Sequence, residues 1–256
     1  MQPLRLIEIL AMQNNPNSKT TPPLPTWNYR WLAIALSILG VIFMTALWLD
    51  LTVSGERNGD AIPGDLRRIV NLSEIFAHGF GAALVLILVW QMLPNYRYRL
   101  RTLAAILFLP GLAAQGIKRL VSRRRPLSYQ TEGSSEAGLP ESITDSWAGF
   151  MPNGEYIYES FPSAHAAGAI AMAIGLSWLF PRGKVIFFTL ALLASFQRIS
   201  SGAHWASDVI AGASLAVVVC FLIFRIERRR DVRQNIKAPV NSYDNDLTID
   251  STRKAA

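Results

Sequence analysis

Six long apolar blocks constrain the fold of this chain more than any other feature of its sequence. Their apolar residues are gathered into continuous runs rather than spaced along one helical stripe, which is typical of segments that face lipid. A helix needs about 20 residues to cross the roughly 30 Å hydrocarbon core of a bilayer. The sequence therefore predicts an all-α, polytopic membrane protein, a six-transmembrane-helix bundle. The predicted spans are residues 31–51, 75–93, 103–117, 163–180, 185–196 and 205–224.

The third and fifth blocks are short for a span, and both run into polar residues at one end. Residues 115–118 would extend the third helix, and residues 197–201 would extend the fifth. A membrane helix that carries polar groups into its last turn usually faces protein or water there. These two helix ends therefore predict the location of a site.

Polar segments flank and interrupt the predicted membrane domain, residues 31–224. Residues 1–30 are predicted to form a polar cytoplasmic tail, and residues 225–256 a basic, disordered cytoplasmic tail. The one sizeable loop, residues 127–160, is predicted to be periplasmic. A loop of this length in a compact domain is usually either functional or disordered.

The distribution of lysine and arginine predicts the orientation of the spans, because these residues favour the cytoplasmic side. With the N-terminus inside, the cytoplasmic segments hold 16 of the 25 basic residues, and the outer segments 50–74 and 118–162 hold eleven acidic ones. Both termini are therefore predicted in the cytoplasm, with the spans in the inner (plasma) membrane. This topology explains the net charge of +7, so nucleic acid is not an expected partner. Cys220 is the only cysteine, which excludes an intramolecular disulfide.

Three polar clusters border the spans, and the predicted topology brings all three to the outer, periplasmic face. The first cluster is residues 118–126, KRLVSRRRP, at the exit of the third span. The second cluster is residues 161–165, FPSAH, at the entry of the fourth span. The third cluster is residues 197–208, QRISSGAHWASD, which joins the fifth span to the sixth.

The clusters carry groups that suit phosphate binding. Lys118 and Arg125 are about two helical turns apart, so both can face the same way if the helix continues. With Arg198 they would supply three positive charges for a phosphate dianion and its transition state. Pro162 predicts a helix start, which makes Ser163 an N-cap or first-turn residue beside free backbone N–H groups.

Two histidines and an aspartate add groups that suit catalysis. His204 and Asp208 are four residues apart, and hence neighbours on one helical face. Asp208 can accept a hydrogen bond from one imidazole nitrogen and leave the other nitrogen free to attack phosphorus. His165 could then donate a proton to the departing alkoxide.

Each cluster taken alone also has a structural interpretation. The basic run 118–125 could be an interfacial charge patch, and His165 could be a locally satisfied structural residue. His204 and Asp208 could be a stabilising pair at a helix start. Three such accidents would have to fall on one membrane face, so together the clusters favour a single site.

The clusters resemble the three-part signature of the type 2 phosphatidic acid phosphatase superfamily, which is K-x6-RP, PSGH and SR-x5-H-x3-D. The matching residues are Lys118, Arg125 and Pro126 for the first part, Pro162, Ser163 and His165 for the second, and Arg198, His204 and Asp208 for the third. The spacing agrees throughout. Ala164 replaces the family glycine, and Gln197 replaces the family serine.

This resemblance implies a hydrolase for a phosphoric ester or lipid pyrophosphate that needs no metal and no cofactor. It implies that His204 is a nucleophile that forms a phosphohistidine, that Asp208 orients it, and that His165 is the general acid. The phosphate-binding residues that it implies are Lys118, Arg125, Ser163, Ala164 and Arg198. Alanine keeps the backbone N–H attributed to the family glycine, so Ala164 adds a methyl group without removing a donor.

Several alternatives stay open at this stage. The superfamily also includes vanadium haloperoxidases, but those are soluble, whereas six spans are predicted here. A transporter predicts ionisable groups near mid-membrane, and a non-catalytic lipid-binding protein of the same fold is a further alternative. Glu74 and His78 either only cap and pack the second span or touch the substrate. The expected partners are the bilayer and a membrane lipid phosphate, with the lipid, its number of phosphates and the oligomeric state undetermined.

Overall fold

The computed structural model of the protein describes residues 23–55, 63–131, 139–150 and 155–237. Its helices are α1 (Tyr29–Gly55), α2 (Gly64–Leu72), α3 (Glu74–Ala77), α4 (Gly79–Met92), α5 (Leu100–Lys118), α6 (Ser128–Thr131), α7 (Ala164–Leu179), α8 (Lys184–Ser200) and α9 (Ala206–Lys237). Two short strands are β1 (Val121–Arg123) and β2 (Trp147–Phe150). Short 3₁₀ helices occupy Pro94–Arg99, Ile143–Ser146, Tyr156–Tyr158 and Pro181–Gly183. Most of the predicted N-terminal tail, the end of the C-terminal tail and parts of the 127–160 loop lie outside the described residues. Residues 225–237, predicted as the start of a disordered tail, instead continue α9 as a helix.

Four helical segments of the described chain are long and apolar enough to cross a bilayer. They are Tyr29–Val53, Pro94–Lys118, Pro181–Ser200 and Ala206–Arg233. A fifth is obtained if the bent pair Gly64–Ala77 and Gly79–Met92 is counted as one span, and α7 is apolar but only 16 residues long. The prediction of a helical membrane protein is confirmed, and four to five spans are supported by length and composition.

The second predicted span, residues 75–93, is broken rather than continuous. Its two halves meet at a bend of 64°. His78 lies at the break with an extended backbone (φ −89°, ψ 146°), and its Nδ1 accepts a hydrogen bond from Phe80 N at 3.4 Å. This side chain therefore caps the start of α4. The apolar run passes through the break without a change in composition, which is why the sequence predicted one helix.

A two-stranded antiparallel ribbon, absent from the all-α prediction, lies beside the helices. β1 follows α5 after a short turn, and β2 lies inside the predicted loop. The paired residues are Val121 with Phe150, Ser122 with Gly149, and Arg123 with Trp147. Strands of three and four residues are too short to show an alternating pattern in the sequence. The ribbon connects to the segment before α7, because Ser160 N donates to Arg123 O at 3.0 Å.

Contacts at both ends of α1 and α9 show that these two helices run antiparallel. At one end, Trp27, just before α1, packs edge-on against Phe224 in α9. At the other end, Asp50 of α1 accepts a hydrogen bond from Ser207 N at the start of α9. The chain therefore enters α1 and runs out along α9 at one face of the bundle, while Asp50 and Ser207 lie at the opposite face.

Small residues allow α7 to pack closely against α5, α8 and α9. The fully buried positions of α7 include Ala166, Ala167, Ala169, Ala171 and Ala173. Close approach through small residues is a common way for membrane helices to associate. The tightest contact is at Gly212 of α9, where an added Cβ would lie 2.2 Å from Ser163 O. This contact holds the start of α7 against α9.

Gly212→Ala is expected to destabilise the protein by about 1–3 kcal/mol, because the methyl group must push α9 away from a backbone carbonyl. Thermal unfolding in detergent measures the effect. Gly40→Ala in α1 is the matched control, since a Cβ at Gly40 meets nothing within 4 Å. Equal melting temperatures for the two variants would contradict the close packing of α7 on α9.

Candidate active site

Main-chain hydrogen bonds join the three polar clusters at one end of the bundle. Leu127 N, just after the first cluster, donates to Gly202 O in the third cluster at 3.0 Å. Ser163 N in the second cluster donates to Asp208 O in the third, also at 3.0 Å. Gly202 has φ of 68°, a conformation that favours glycine, in the turn between α8 and α9. The fold therefore brings the three predicted clusters together.

The two predicted cations of the first cluster share a single carbonyl acceptor. Lys118 Nζ and Arg125 Nη2 donate to Glu159 O at 2.8 and 3.0 Å. Arg125 Nε and Nη1 donate to Tyr156 O and Ala203 O, both at 2.9 Å. The helix ends at Lys118, so the two side chains do not share a helical face. They converge because β1 and the turn after it bring Arg125 back beside Lys118.

Arg198, the third predicted cation, comes from the last turn of α8. Its Nη2 forms an ion pair with Glu74 Oε1 at 2.7 Å. Gln197, the residue at the family serine position, is buried and accepts a hydrogen bond from Arg198 Nε through its side-chain oxygen. Glutamine at this position therefore orients the guanidinium.

The start of α7 brings backbone donors to the site. Ser163 is the N-cap of α7, and its Oγ accepts a hydrogen bond from Ala166 N at 3.3 Å. Ala164 and His165 are the first two residues of the helix. The N–H groups of such residues have no acceptor within their own helix, and they commonly bind anions. The helix start predicted at Ser163 is therefore observed.

His204 and Asp208 face each other at the buried centre of the site. His204 Nδ1 lies 3.9 Å from Asp208 Oδ2, which is longer than a hydrogen bond. Among the residues described, this Nδ1 has no hydrogen-bond partner. Asp208 Oδ2 accepts hydrogen bonds from Ser160 Oγ and from Trp205 N. Catalytic hydrogen bonds are often long before substrate binds, so a movement of about 1 Å would complete the pair.

The surroundings of His204 lower its pKa to about 4. Burial is the largest cause, because a buried site disfavours the charged imidazolium. The positive charges of Lys118 and Arg125 add to this effect, and the Asp208 carboxylate opposes it. His204 is therefore neutral near pH 7, with a nitrogen lone pair available.

The plot of kcat/KM against pH is expected to fall on its acid side near pH 4 rather than near 6.5, the ordinary histidine pKa. If His204 is the nucleophile, as the sequence predicts, only its neutral form can attack phosphorus, so activity is present above the lowered pKa and is lost as the pH falls through it. The profile is measured on purified protein in detergent, after subtraction of the ionisation of the substrate phosphate. Asp208→Asn removes the opposing carboxylate and should move the residual limb to lower pH. A wild-type limb near 6.5 that Asp208→Asn leaves in place would contradict the assignment.

Glu74 and His78 both lie beside His165. Glu74 Oε1 is 3.7 Å from His165 Nε2, and the rings of His78 and His165 are 6.2 Å apart. His165 is about one-third exposed, whereas His204 is almost completely buried. Of the two interpretations left open by the sequence, His78 has the capping contact, whereas Glu74 joins the site through Arg198 and His165.

A crevice of about 230 Å³ opens between the break at His78, the middle of α5 and the start of α7. His165 forms part of its wall. Most of the remaining wall is small or apolar and includes Gly79, Phe108 and Leu112. The crevice therefore connects the polar site to the apolar flank of the bundle.

Sequence reasoning missed a buried network behind Asp208. Asp50 of α1, Arg123 of β1, Ser160 and Ser207 are all fully buried. Arg123 donates from Nη1 to Asp208 Oδ1 and from Nη2 to Asp50 Oδ2. The sequence holds one signal for this network, since Asp50 is a carboxylate at the end of an apolar block. Arg123 gives no signal, because it stands in a run of three arginines.

Comparisons with known proteins agree on one family. The sequence model of the PAP2 superfamily matches residues 99–231, just over half of the chain. Lipid A 1-phosphatase of Rhizobium etli is 27% identical over 236 residues, covering 80% of this chain and 90% of that protein. Undecaprenyl-diphosphatase BcrC of Bacillus subtilis is 38% identical over 68 residues, covering 26% of this chain and 34% of that protein. The crystal structure of Aquifex aeolicus LpxE aligns with a TM-score of 0.51 at 20% identity, covering 69% of this chain and 95% of that one.

The region matched by the superfamily contains all three polar clusters. The likeness to a solved structure at 20% identity supports the same helical fold. The two curated relatives are named as phosphatases. The chain therefore belongs to the PAP2 superfamily and is a membrane-embedded phosphoric ester hydrolase.

Proposed function

We propose that this chain is a lipid phosphatase that hydrolyses a phosphate monoester or pyrophosphate through a phosphohistidine on His204, without a metal or other cofactor. The observation that carries the proposal is the convergence of three cations and two histidines beside an apolar crevice. Lys118 and Arg125 come from the first cluster and Arg198 from the end of α8, so the fold itself gathers this positive charge. Buried positive charge of this kind is stabilised by an anion.

Lys118, Arg125 and Arg198 are proposed to hold the phosphate oxygens. Lys118 and Arg125 donate to main-chain carbonyls in the free protein, and a phosphate dianion offers stronger, charge-assisted acceptors. Ser163 and the N–H of Ala164 would add neutral donors at the start of α7. Phosphoryl transfer spreads charge over the equatorial oxygens, so donors fixed in position stabilise the transition state most.

The first half-reaction would exchange a P–O bond for a P–N bond. His204 attacks phosphorus through Nε2, since its Nδ1 faces Asp208. As the bond to the leaving oxygen breaks, protonated His165 donates its proton to that oxygen. The Asp208 carboxylate offsets the positive charge of the phosphorylated imidazole. Burial and the nearby cations disfavour the protonated form of His165 in the free protein. A bound phosphate dianion, together with Glu74 at 3.7 Å from His165 Nε2, would offset this effect before the step.

The second half-reaction would return the site to its starting state. Neutral His165 accepts a proton from a water molecule as the water oxygen attacks phosphorus. The P–N bond breaks, inorganic phosphate leaves, and His204 becomes a neutral imidazole again. His165 is then protonated and ready for the next substrate. No group outside the chain, the substrate and water takes part.

The apolar crevice beside His165 supports a lipid substrate. A phosphate held by the cations would lie at the polar end of this crevice, so the attached chains could follow its apolar wall. The two curated relatives are named for lipid A and undecaprenyl diphosphate. The lipid A enzyme aligns with far more of this chain, so a phosphorylated glycolipid of that class is the first substrate to test.

The proposed location is a bacterial inner membrane, with the site facing the periplasm and both termini in the cytoplasm. The contacts between α1 and α9 support it, because the start of α1 and the end of α9 lie together at the face opposite the site. Arg225, Arg228, Arg229 and Arg233 near the end of α9 also favour a cytoplasmic position for that end.

A panel of lipid phosphates tests the proposed function. Purified protein in detergent is given lipid A 1-phosphate, undecaprenyl pyrophosphate, phosphatidic acid, phosphatidylglycerophosphate and glycerol phosphate. At least one lipid should be hydrolysed with a kcat/KM about 100-fold above that of glycerol phosphate, because lipid chains contribute binding energy. His204→Ala, prepared in parallel, controls for contaminating phosphatases. If none of the lipids releases phosphate, the proposal is contradicted and a non-catalytic lipid-binding protein is favoured.

A further inference from the structure

A buried chain of charges extends from the site to α1. The side chains of Asp50, Arg123 and Asp208 are completely inaccessible to solvent. Arg123 Nη2 is 2.9 Å from Asp50 Oδ2, and Arg123 Nη1 is paired with Asp208 Oδ1. Three elements far apart in the sequence, α1, β1 and α9, therefore meet through one guanidinium.

Neighbouring groups satisfy the other polar atoms of this network. Arg123 Nε donates to Ser146 Oγ at 3.1 Å, and Nη1 also donates to Ser207 Oγ at 2.7 Å. Asp50 accepts hydrogen bonds from Ser207 N at 3.0 Å and from Ser207 Oγ. The guanidinium also lies 4.5 Å from the centre of the Trp147 ring. Burial of charges is costly unless geometry and hydrogen bonding are this complete, so the network fixes its members in place.

We propose that Asp50 and Arg123 are positioning residues for the nucleophile. They fix the Asp208 carboxylate against His204 and set the charge of the network. The inference rests on the proposed function, in which Asp208 orients His204. Arg123 holds Asp208 Oδ1, so Oδ2 is left facing His204 Nδ1. A carboxylate anchored at one oxygen cannot rotate away when the imidazole moves during the reaction.

The balance of charge explains why two carboxylates share one guanidinium. Asp50, Arg123 and Asp208 together carry a net charge of −1. Phosphorylation gives the His204 ring a positive charge, so the sum becomes zero and no unbalanced buried cation forms. Without Asp50 the network would start neutral and become positive. Without Arg123 the two buried carboxylates would lose the cation that they share, and burial would favour the protonated form of Asp208.

The activity of the double variant distinguishes a network that sets charge from one that only supports the fold. If the network only supports the fold, damage from Asp50→Asn and from Arg123→Met should accumulate in the double variant. If it sets charge, the double variant leaves Asp208 as the one charged member and restores the net charge of −1. Compensation rather than accumulation is therefore the signature of the proposed role.

The experiment compares Asp50→Asn, Arg123→Met, their double variant and Arg123→Lys with the wild type. Arg119→Met is the matched control, since Arg119 is an exposed arginine of the same segment. For each protein the melting temperature, kcat, KM and the rate of phosphoenzyme formation per folded protein are measured. Asp50→Asn and Arg123→Met should each lower kcat about 100-fold, with KM within about threefold of wild type. Arg123→Lys keeps the charge without the planar fork and should lose about tenfold.

The double variant should be at least about tenfold more active than Arg123→Met alone. A double variant with the summed losses of the single variants would overturn the inference, as would single variants with wild-type kcat per folded protein. If Arg123→Met does not fold, Asp50→Asn and Arg123→Lys test the same point through the split between kcat and KM. An inactive wild type would overturn the proposed function as well, whereas an active wild type with unaffected variants overturns this inference alone.

Discussion

His204→Ala is expected to lower kcat by at least about 10⁴-fold, the largest effect of any single substitution in this protein. The variant keeps Lys118, Arg125 and Arg198, so it should still bind phosphate through these cations. It lacks the nitrogen that forms the covalent intermediate, and alanine cannot take over this role. The measurement is phosphate release in detergent with the preferred lipid, at saturating substrate.

Two controls separate the loss of chemistry from the loss of fold. The melting temperature of His204→Ala should stay within a few degrees of wild type, because its Nδ1 has no hydrogen-bond partner among the described residues. Competitive binding of inorganic phosphate should also persist, since it depends on the cations. Turnover of His204→Ala within tenfold of wild type would contradict the assignment of the nucleophile.

His165→Asn is expected to slow the first turnover by about 10²–10⁴-fold with a lipid substrate, because the departing alkoxide receives no proton. The same substitution should have a much smaller effect on the first turnover of 4-nitrophenyl phosphate. Nitrophenolate is a stable leaving group that needs no general acid. A comparison of the two substrates therefore isolates proton donation from all other effects of the variant.

The first turnover is the informative step, because the proposed mechanism also uses His165 as the base in the second half-reaction. Rapid mixing with excess protein measures release of the leaving group before phosphohistidine hydrolysis becomes limiting. Ser214→Ala, in α9 and outside the site, is a control for general damage to the bundle. Equal losses with both substrates would contradict a general-acid role and would leave His165 as a phosphate-binding residue.

The parts of this site that the sequence predicted depend on local spacing. His204 and Asp208 lie close together as predicted, but not on one helical face, because α9 begins at Ala206 and His204 lies in the turn before it. The helix start at Ser163 follows from Pro162 and the N-cap preference of serine. The extension of α5 to Lys118 and of α8 to Ser200 also follows from polar residues at the ends of apolar runs.

The parts that were missed depend on contacts between distant segments. Arg123 meets Asp50 across 73 residues and Asp208 across 85 residues. No spacing rule relates residues so far apart, and a single sequence contains no record of their pairing. Among three adjacent arginines, only the register of a three-residue strand decides which one turns toward Asp208.

The break at His78 was not predicted from the sequence for a different reason. An apolar run predicts the length of a span but not whether its backbone stays helical, because lipid-facing composition is the same on both sides of a bend. The break places Glu74 beside Arg198 and forms one wall of the crevice. The structure thus adds a bend beside the candidate site where the sequence predicted a plain helix.

Trapping of the phosphoenzyme tests the covalent mechanism most directly. Purified protein is mixed with the preferred lipid carrying ³²P in its reactive phosphate, and the reaction is quenched in alkali within the first turnover. We expect label on one peptide that contains His204, stable in alkali and released in acid, as is characteristic of phosphohistidine. The label should be absent from His204→Ala. A wild-type protein that turns over the lipid at full rate without any such label, or with label on another residue, would contradict the mechanism.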